Sequence, residues 1–234
     1  MDPRHLFIDE CFTDMCAYCG AQPNTRDHVP SKVLLDEPYP LQLPVVRACD
    51  RCNESISLDE QYLACFLDCV ISGGTKIDCL NRPNVKRILS RNPALQKRLE
   101  NAKRKNELDN LQWEPEFDRI RNVILKLARG HIAYELYPKF EEPTKVSFVP
   151  LQMLSEEKRS DFEDITSGKH DLWPEIGSRA FSRVLGKSPD CFEKSGDWII
   201  IQPSRYRYAV TEKIGVLVRM VLSEYLACKV FWEI

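Results

Sequence analysis

Two copies of one short spacing, Cys-x-x-Cys, limit this chain more than any other feature. "CAYCG" carries Cys16 and Cys19, and "CDRCN" carries Cys49 and Cys52. A thioredoxin-like redox site needs one such pair and has no use for a second. Zinc needs four soft ligands in a tetrahedron, and two tight turns supply two thiolates each. The spacing therefore predicts a structural zinc ion on Cys16, Cys19, Cys49 and Cys52. Binding of that kind contributes on the order of 10 kcal/mol to folding. That is enough to hold together a short segment with little core of its own.

The expected compartment agrees. "MDPRHLFIDE" is too polar for a signal peptide, and the most apolar run, "GVLVRMVL", is broken by Arg219. Neither an exported nor a membrane-spanning chain is expected, and a cytoplasmic location is the default. Ten cysteines there read as ligands, redox groups or packing rather than disulfides. Cys65 and Cys69 stand four apart in "SLDEQYLACFLDCV", an expected helix, and their apolar neighbours point to buried packing. Cys11, Cys79, Cys191 and Cys228 have no partner at ligand spacing.

Inside the cysteine frame stands "TRDHVPSK", which a purely structural zinc site does not need. His28 follows Asp27 and precedes Val29–Pro30, which favours an extended local chain. Asn53 directly follows the second cysteine pair. A carboxylate and an amide oxygen are hard ligands, suited to Mg²⁺ or Mn²⁺ rather than zinc. An imidazole beside such an ion can take a proton from water. These residue types predict two metals with separate tasks, sulfur fixing the fold and oxygen serving chemistry.

The stretches "CAYCG", "RDHVPSKVLL" and "LPVVRACDRCN" together resemble the HNH endonuclease family, over about residues 14–66. The resemblance implies a ββα-metal core in a treble-clef zinc frame. It implies His28 as general base, Asp27 and Asn53 as ligands of the catalytic divalent ion, and the four cysteines as zinc ligands. One position departs from the family pattern. The middle Asn usually lies nine residues before the final ligand, and Pro44 stands there instead.

Charge is distributed unevenly. The whole chain has a net charge of −2, which says nothing about partners. Residues 1–75 carry 5 basic and 12 acidic residues, whereas residues 76–145 carry 16 and 10. Between Arg82 and Lys105 there are nine basic residues and a single acid, Glu100. Val85, Ile88, Leu89, Leu95 and Leu99 recur near helical spacing, with Pro83 and Pro93 at starts or breaks. Such a segment is either a solvated helix face or a phosphate-contacting arm. Beside a nuclease-like core the second reading is preferred, with Arg82, Lys86, Arg87, Arg91, Lys97, Arg98, Lys103, Arg104 and Lys105 as nucleic-acid contacts.

A further helix is expected in "PEFDRIRNVILKLARGHIAYEL", with Gly130 bending or ending it and His131 in a structural role. "TKVSFVPL" and "DWIIIQPSRYRYAV" read as strands, the second half-buried. "GVLVRMVLSEYLACKVFW" fits strands by its valines and a buried helix by its length. The expected class is α+β. A zinc-framed ββα module spans 1–75, a helical basic segment 76–145, and a mixed domain with a β-sheet 146–234. The expected function is metal-dependent phosphodiester hydrolysis in nucleic acid, DNA foremost, as in a bacterial defence effector or toxin. The alternative is a zinc-framed module that binds nucleic acid or protein without catalysis.

Overall fold

A short hairpin opens the fold. Strands β1 (Thr25–His28) and β2 (Val45–Ala48) pair antiparallel, Thr25 opposite Ala48 and His28 opposite Val45. Helix α1 (Asp50–Glu54) follows at once, giving the order ββα. The computed structural model describes residues 14–41, 43–105, 111–165, 193–195 and 198–233. His5, Cys11, His170, Cys191 and the side chain of Lys105 lie outside that set.

Helix α2 (Ser57–Ile71) is buried almost all round, with Tyr62, Leu63, Ala64, Cys65, Leu67 and Cys69 in the core. A helix apolar on every side must be covered on every side. Cys65 and Cys69 are packing residues, and burial pushes both thiols up to about 12.

Two short helices carry the basic stretch, α3 (Pro83–Arg91) and α4 (Pro93–Asn101), each with proline in its first turn. Asn92 caps α4 by accepting from Leu95 N at 3.0 Å. Each turns its apolar stripe inward, burying Val85 and Leu89 or Leu95 and Leu99. The basic segment is not helical throughout. Lys103–Lys105 forms strand β3, paired with β4 (Leu111–Trp113).

Helix α5 (Phe117–Glu135) lies at the centre. Gly130 does not end it. A Cβ there would meet Val29 Cγ2 at 2.7 Å and the Tyr18 hydroxyl at 3.2 Å. The glycine lets the end of β1 lie directly on the helix.

The remaining strands form one antiparallel sheet. β5 (Lys145–Pro150), β6 (Glu193–Ser195), β7 (Trp198–Gln202), β8 (Tyr206–Glu212), β9 (Gly215–Leu222) and β10 (Leu226–Glu233) lie in the order β5-β10-β9-β8-β7-β6. The stretch open to two readings is therefore a hairpin, turned by Ser223 and Glu224, both with positive φ. Alternation along β8 buries Tyr206 and Tyr208 against α5, where His131 Nε2 lies 2.7 Å from the Tyr206 hydroxyl. Arg207 points the other way, stacks on Trp198 and forms a bidentate pair with Glu163 at 2.7 and 2.8 Å. On that face α6 (Glu156–Glu163) contributes Phe162 to a second small core.

The architecture is mixed α+β. Buried residues from all three stretches of the chain, from Cys16 to Trp232, join one core. Among the described residues no helix is long and apolar enough to cross a membrane.

Candidate metal centre and the hairpin it frames

The four cysteines converge. Cys16 and Cys19 come from the turn before β1, while Cys49 and Cys52 come from the start of α1. Their sulfurs all lie within 4.8 Å of one another, and Cys19 Sγ and Cys49 Sγ are 3.8 Å apart. Zn–S bonds of about 2.3 Å in a tetrahedron require S···S edges of about 3.8 Å. The donor set, its number and its spacing fit zinc. Backbone N–H groups support the sulfurs' loops, with Cys16 N donating to Ala21 O and Ala17 N to Arg47 O. The Cys49 thiol is pulled down to about 7, first by the Cys52 backbone N–H.

The residues inside the frame are arranged differently from the sequence expectation. Successive side chains of a strand point to opposite faces. Asp27 is buried, whereas His28 is half-buried on the other side. The Asp-His pair therefore does not line one site. Asp27 Oδ2 accepts from the Tyr18 hydroxyl at 2.8 Å and pairs with Lys126 Nζ at 2.9 Å. Lys126 also meets Glu60 Oε1 at 3.0 Å and the Asn53 carbonyl oxygen at 3.4 Å. The Asn53 side chain directs its Nδ2 at Thr25 Oγ1, 3.3 Å, and at Arg26 O, 3.4 Å.

Asp27 and Asn53 thus do not fit a catalytic divalent ion in this arrangement. The carboxylate is held by an ammonium and a hydroxyl, and the amide presents its nitrogen to the hairpin. Lys126 stands where a hard cation among these oxygens would stand. Burial draws the Lys126 pKa down, but the Glu60 and Asp27 carboxylates outweigh it and hold the amine above its usual value. Burial raises the Glu60 pKa, with Lys126 opposing.

His28 is in a different environment. Its Nδ1 is buried with no hydrogen-bond partner among the described residues, and the residue as a whole is half-buried. Burial lowers its pKa, Lys32 lowers it further, and Asp27 only partly opposes. The imidazole is neutral at pH 7 and able to accept a proton. Nine residues before Asn53, Pro44 supplies its carbonyl oxygen to Val29 N at 2.9 Å. The backbone there braces the chain next to His28.

The basic residues do not form one set. Lys86 is half-buried, and Arg87, Arg91, Lys97, Arg98 and Arg104 are exposed along α3, α4 and β3. Arg98 pairs with Glu116 at 3.0 Å, Lys103 with Glu100 at 3.4 Å and Arg104 with Glu114 at 3.3 Å. Arg82 is an internal residue and has to be removed from the phosphate contacts. It is 2% exposed, bonds Asp36 at 2.7 Å, and donates to the carbonyl oxygens of Val33 and Leu35. Its place at the N-terminus of α3, where Asp68 accepts from its backbone N–H, turns its side chain inward.

Tyr18, Glu60 and Lys126 have no local motif to mark them. A lysine inside the apolar stripe of an expected helix, beside Val123, Leu127 and Gly130, is the one sequence signal for Lys126. Comparison of the chain with protein-family models, with curated proteins and with solved structures finds no match.

Proposed function

We propose that the chain is a zinc-framed, HNH-like hydrolase of phosphodiester bonds in nucleic acid, with His28 as its general base. The observation that carries this reading is His28 itself. It is a neutral imidazole at the end of a strand in a ββα unit bounded by four zinc-competent cysteines. In the reaction His28 Nε2 takes a proton from the water that attacks phosphorus, the new P–O bond forms as the bond from phosphorus to the leaving oxygen breaks, and the leaving oxygen acquires its proton from solvent. The zinc ion, when bound, holds the β1 turn against α1 and takes no part in proton transfer. No step is assigned to a second metal on Asp27 and Asn53. DNA is the substrate the family resemblance suggests.

The second reading is a zinc-framed module that binds nucleic acid without cutting it. It is favoured by one observation, the engagement of Asp27 by Lys126 and Tyr18. A plasmid-nicking assay with Mg²⁺, Mn²⁺ and EDTA arms, run beside a binding titration, separates the two. Cleavage lost in His28→Ala supports the first, and binding without cleavage under every condition supports the second.

A further inference from the structure

We propose that Arg26 and Arg47 form a phosphate clamp on the outer face of the β1–β2 hairpin, beside His28, and that it holds the backbone of a nucleic-acid strand. The proposal rests on the reading of the module as one that acts on nucleic acid, and it names the residues that grip the substrate.

Arg26 and Arg47 are directly opposite one another in the hairpin register. Their carbonyl oxygens are bonded outside the ladder, Arg47 O by Ala17 N at 2.8 Å and Arg26 O by Asn53 Nδ2 at 3.4 Å. Three register positions along, Val29 N donates to Pro44 O at 2.9 Å, and hydrogen-bonded and non-hydrogen-bonded pairs alternate from there. Arg26 and Arg47 therefore form a non-hydrogen-bonded pair, the kind whose Cα atoms lie about 4.5 Å apart and whose side chains are closest. Both are exposed. Neither guanidinium makes an ion pair or hydrogen bond to any described residue.

Like charges placed directly opposite destabilise a hairpin. Some exposed arginines are matched, Arg98 by Glu116 and Arg104 by Glu114. Arg51, Arg87, Arg91 and Arg121 are exposed with no ion pair to a described residue, but among the described arginines only Arg26 and Arg47 face each other across a strand pair. Here the carboxylate of the hairpin, Asp27, sits on the opposite face and is bound to Lys126. The outer face therefore presents two guanidiniums unmatched by any described residue, with His28 next on that face along β1 and Val45 along β2. Lys32 lies near enough to His28 to lower its pKa. Arg47 also borders an open depression of about 490 Å³ with Asp14, Gln22 and Pro23. Guanidinium forks match the paired oxygens of a phosphate, and an anion between them removes the repulsion. The net acidity of residues 1–75 hides this feature: Asp27 is turned to the opposite face, and Asp14 shares the depression with Arg47.

The test is a titration of the full chain with a labelled DNA duplex, and with one of its single strands, over a series of salt concentrations. Inorganic phosphate serves as competitor. Wild type, Arg26→Gln, Arg47→Gln and the double variant are compared, and their melting temperatures are recorded. The expected result is that each substitution removes about 0.9 from the log–log salt slope on the duplex, or about 0.7 on the single strand. Melting temperature stays level or rises as the repulsion is relieved. Weak binding of the strand together with strong, arginine-dependent binding of free phosphate would overturn the nucleic-acid assignment. Variants that bind as the wild type does would overturn the clamp while leaving the hydrolase reading standing. Arginine-dependent binding with no cleavage would keep the clamp and remove the hydrolase reading. A wild type that binds neither form of DNA would overturn both.

Discussion

Lys126 on α5 holds Asp27 on β1 at 2.9 Å, with the two side chains 5% and 9% exposed. The ammonium is shared with Glu60 on α2, so one buried cation ties three elements together. Removing it leaves two carboxylates in the interior without a counter-charge. Lys126→Met is expected to cost about 3–5 kcal/mol, the range for breaking a buried pair from one side. Lys126→Met combined with Asp27→Asn and Glu60→Gln should recover much of that loss, since neutral partners need no cation. Urea unfolding of the set measures both effects.

Zinc should be present at about one ion per chain in purified protein, and metal analysis reads it directly. Cys16→Ser, Cys19→Ser, Cys49→Ser and Cys52→Ser should each lower zinc content and melting temperature. Cys65→Ser should leave zinc content unchanged. A chelator should lower the melting temperature of the wild type by more than that of any frame variant, because the variants have already lost the ion's contribution.

For His28 the expected loss in His28→Ala is between a hundredfold and ten-thousandfold in nicking rate, with zinc content retained. The pH dependence has a definite sign. The folded-state pKa is below the ordinary value of about 6.5. Activity should be level at and above neutrality and fall as pH drops through that lowered value. Stability follows the same direction, because the unfolded chain takes up the proton first. This contribution is complete above about 6.5, declines as pH falls, and is fully lost below the folded-state pKa. His28→Gln should remove this part of the stability profile, which urea midpoints across the acid range would reveal.

Within the basic stretch two kinds of residue should separate cleanly. Arg87→Glu, Arg91→Glu and Lys97→Glu act on exposed side chains and should weaken nucleic-acid binding with melting temperature nearly unchanged. Arg82→Ala should do the reverse. Its loss leaves Asp36 and two carbonyl oxygens short of a donor, costing roughly 2–4 kcal/mol given that water partly screens Asp36. Anisotropy titrations and thermal melts on the same variants distinguish the two behaviours.

The four-cysteine cluster is legible from sequence because thiolate spacing is local chemistry. Two tight turns present their sulfurs in one way, and the chain has only to bring the turns together. The starts of α3 and α4 are legible for a similar reason, since a proline in the first turn announces itself. Asp27 is harder. Adjacency to His28 suggests a shared site, yet a strand sends neighbours to opposite faces, and the partner that settles its orientation lies on α5. Arg82 looks like its basic neighbours until α3 is placed against the loop around Asp36. The β9–β10 turn is hidden because Ser223 and Glu224 take the positive φ values that sequence reading assigns to Asn or Gly.

Asp36 is the last such feature. Its carboxylate bonds both Arg82 and Arg205, and its backbone N–H and carbonyl are matched by the side-chain amide of Gln202 at 2.8 and 2.9 Å. A glutamine from the far sheet thus acts as a strand partner would for a single residue of the loop between β1 and β2. The loop that follows His28 takes its shape from residues near the other end of the chain. A cysteine-framed unit moved to another scaffold would leave behind the Gln202 and Arg205 side chains that meet Asp36, so the loop would need new partners for the same groups.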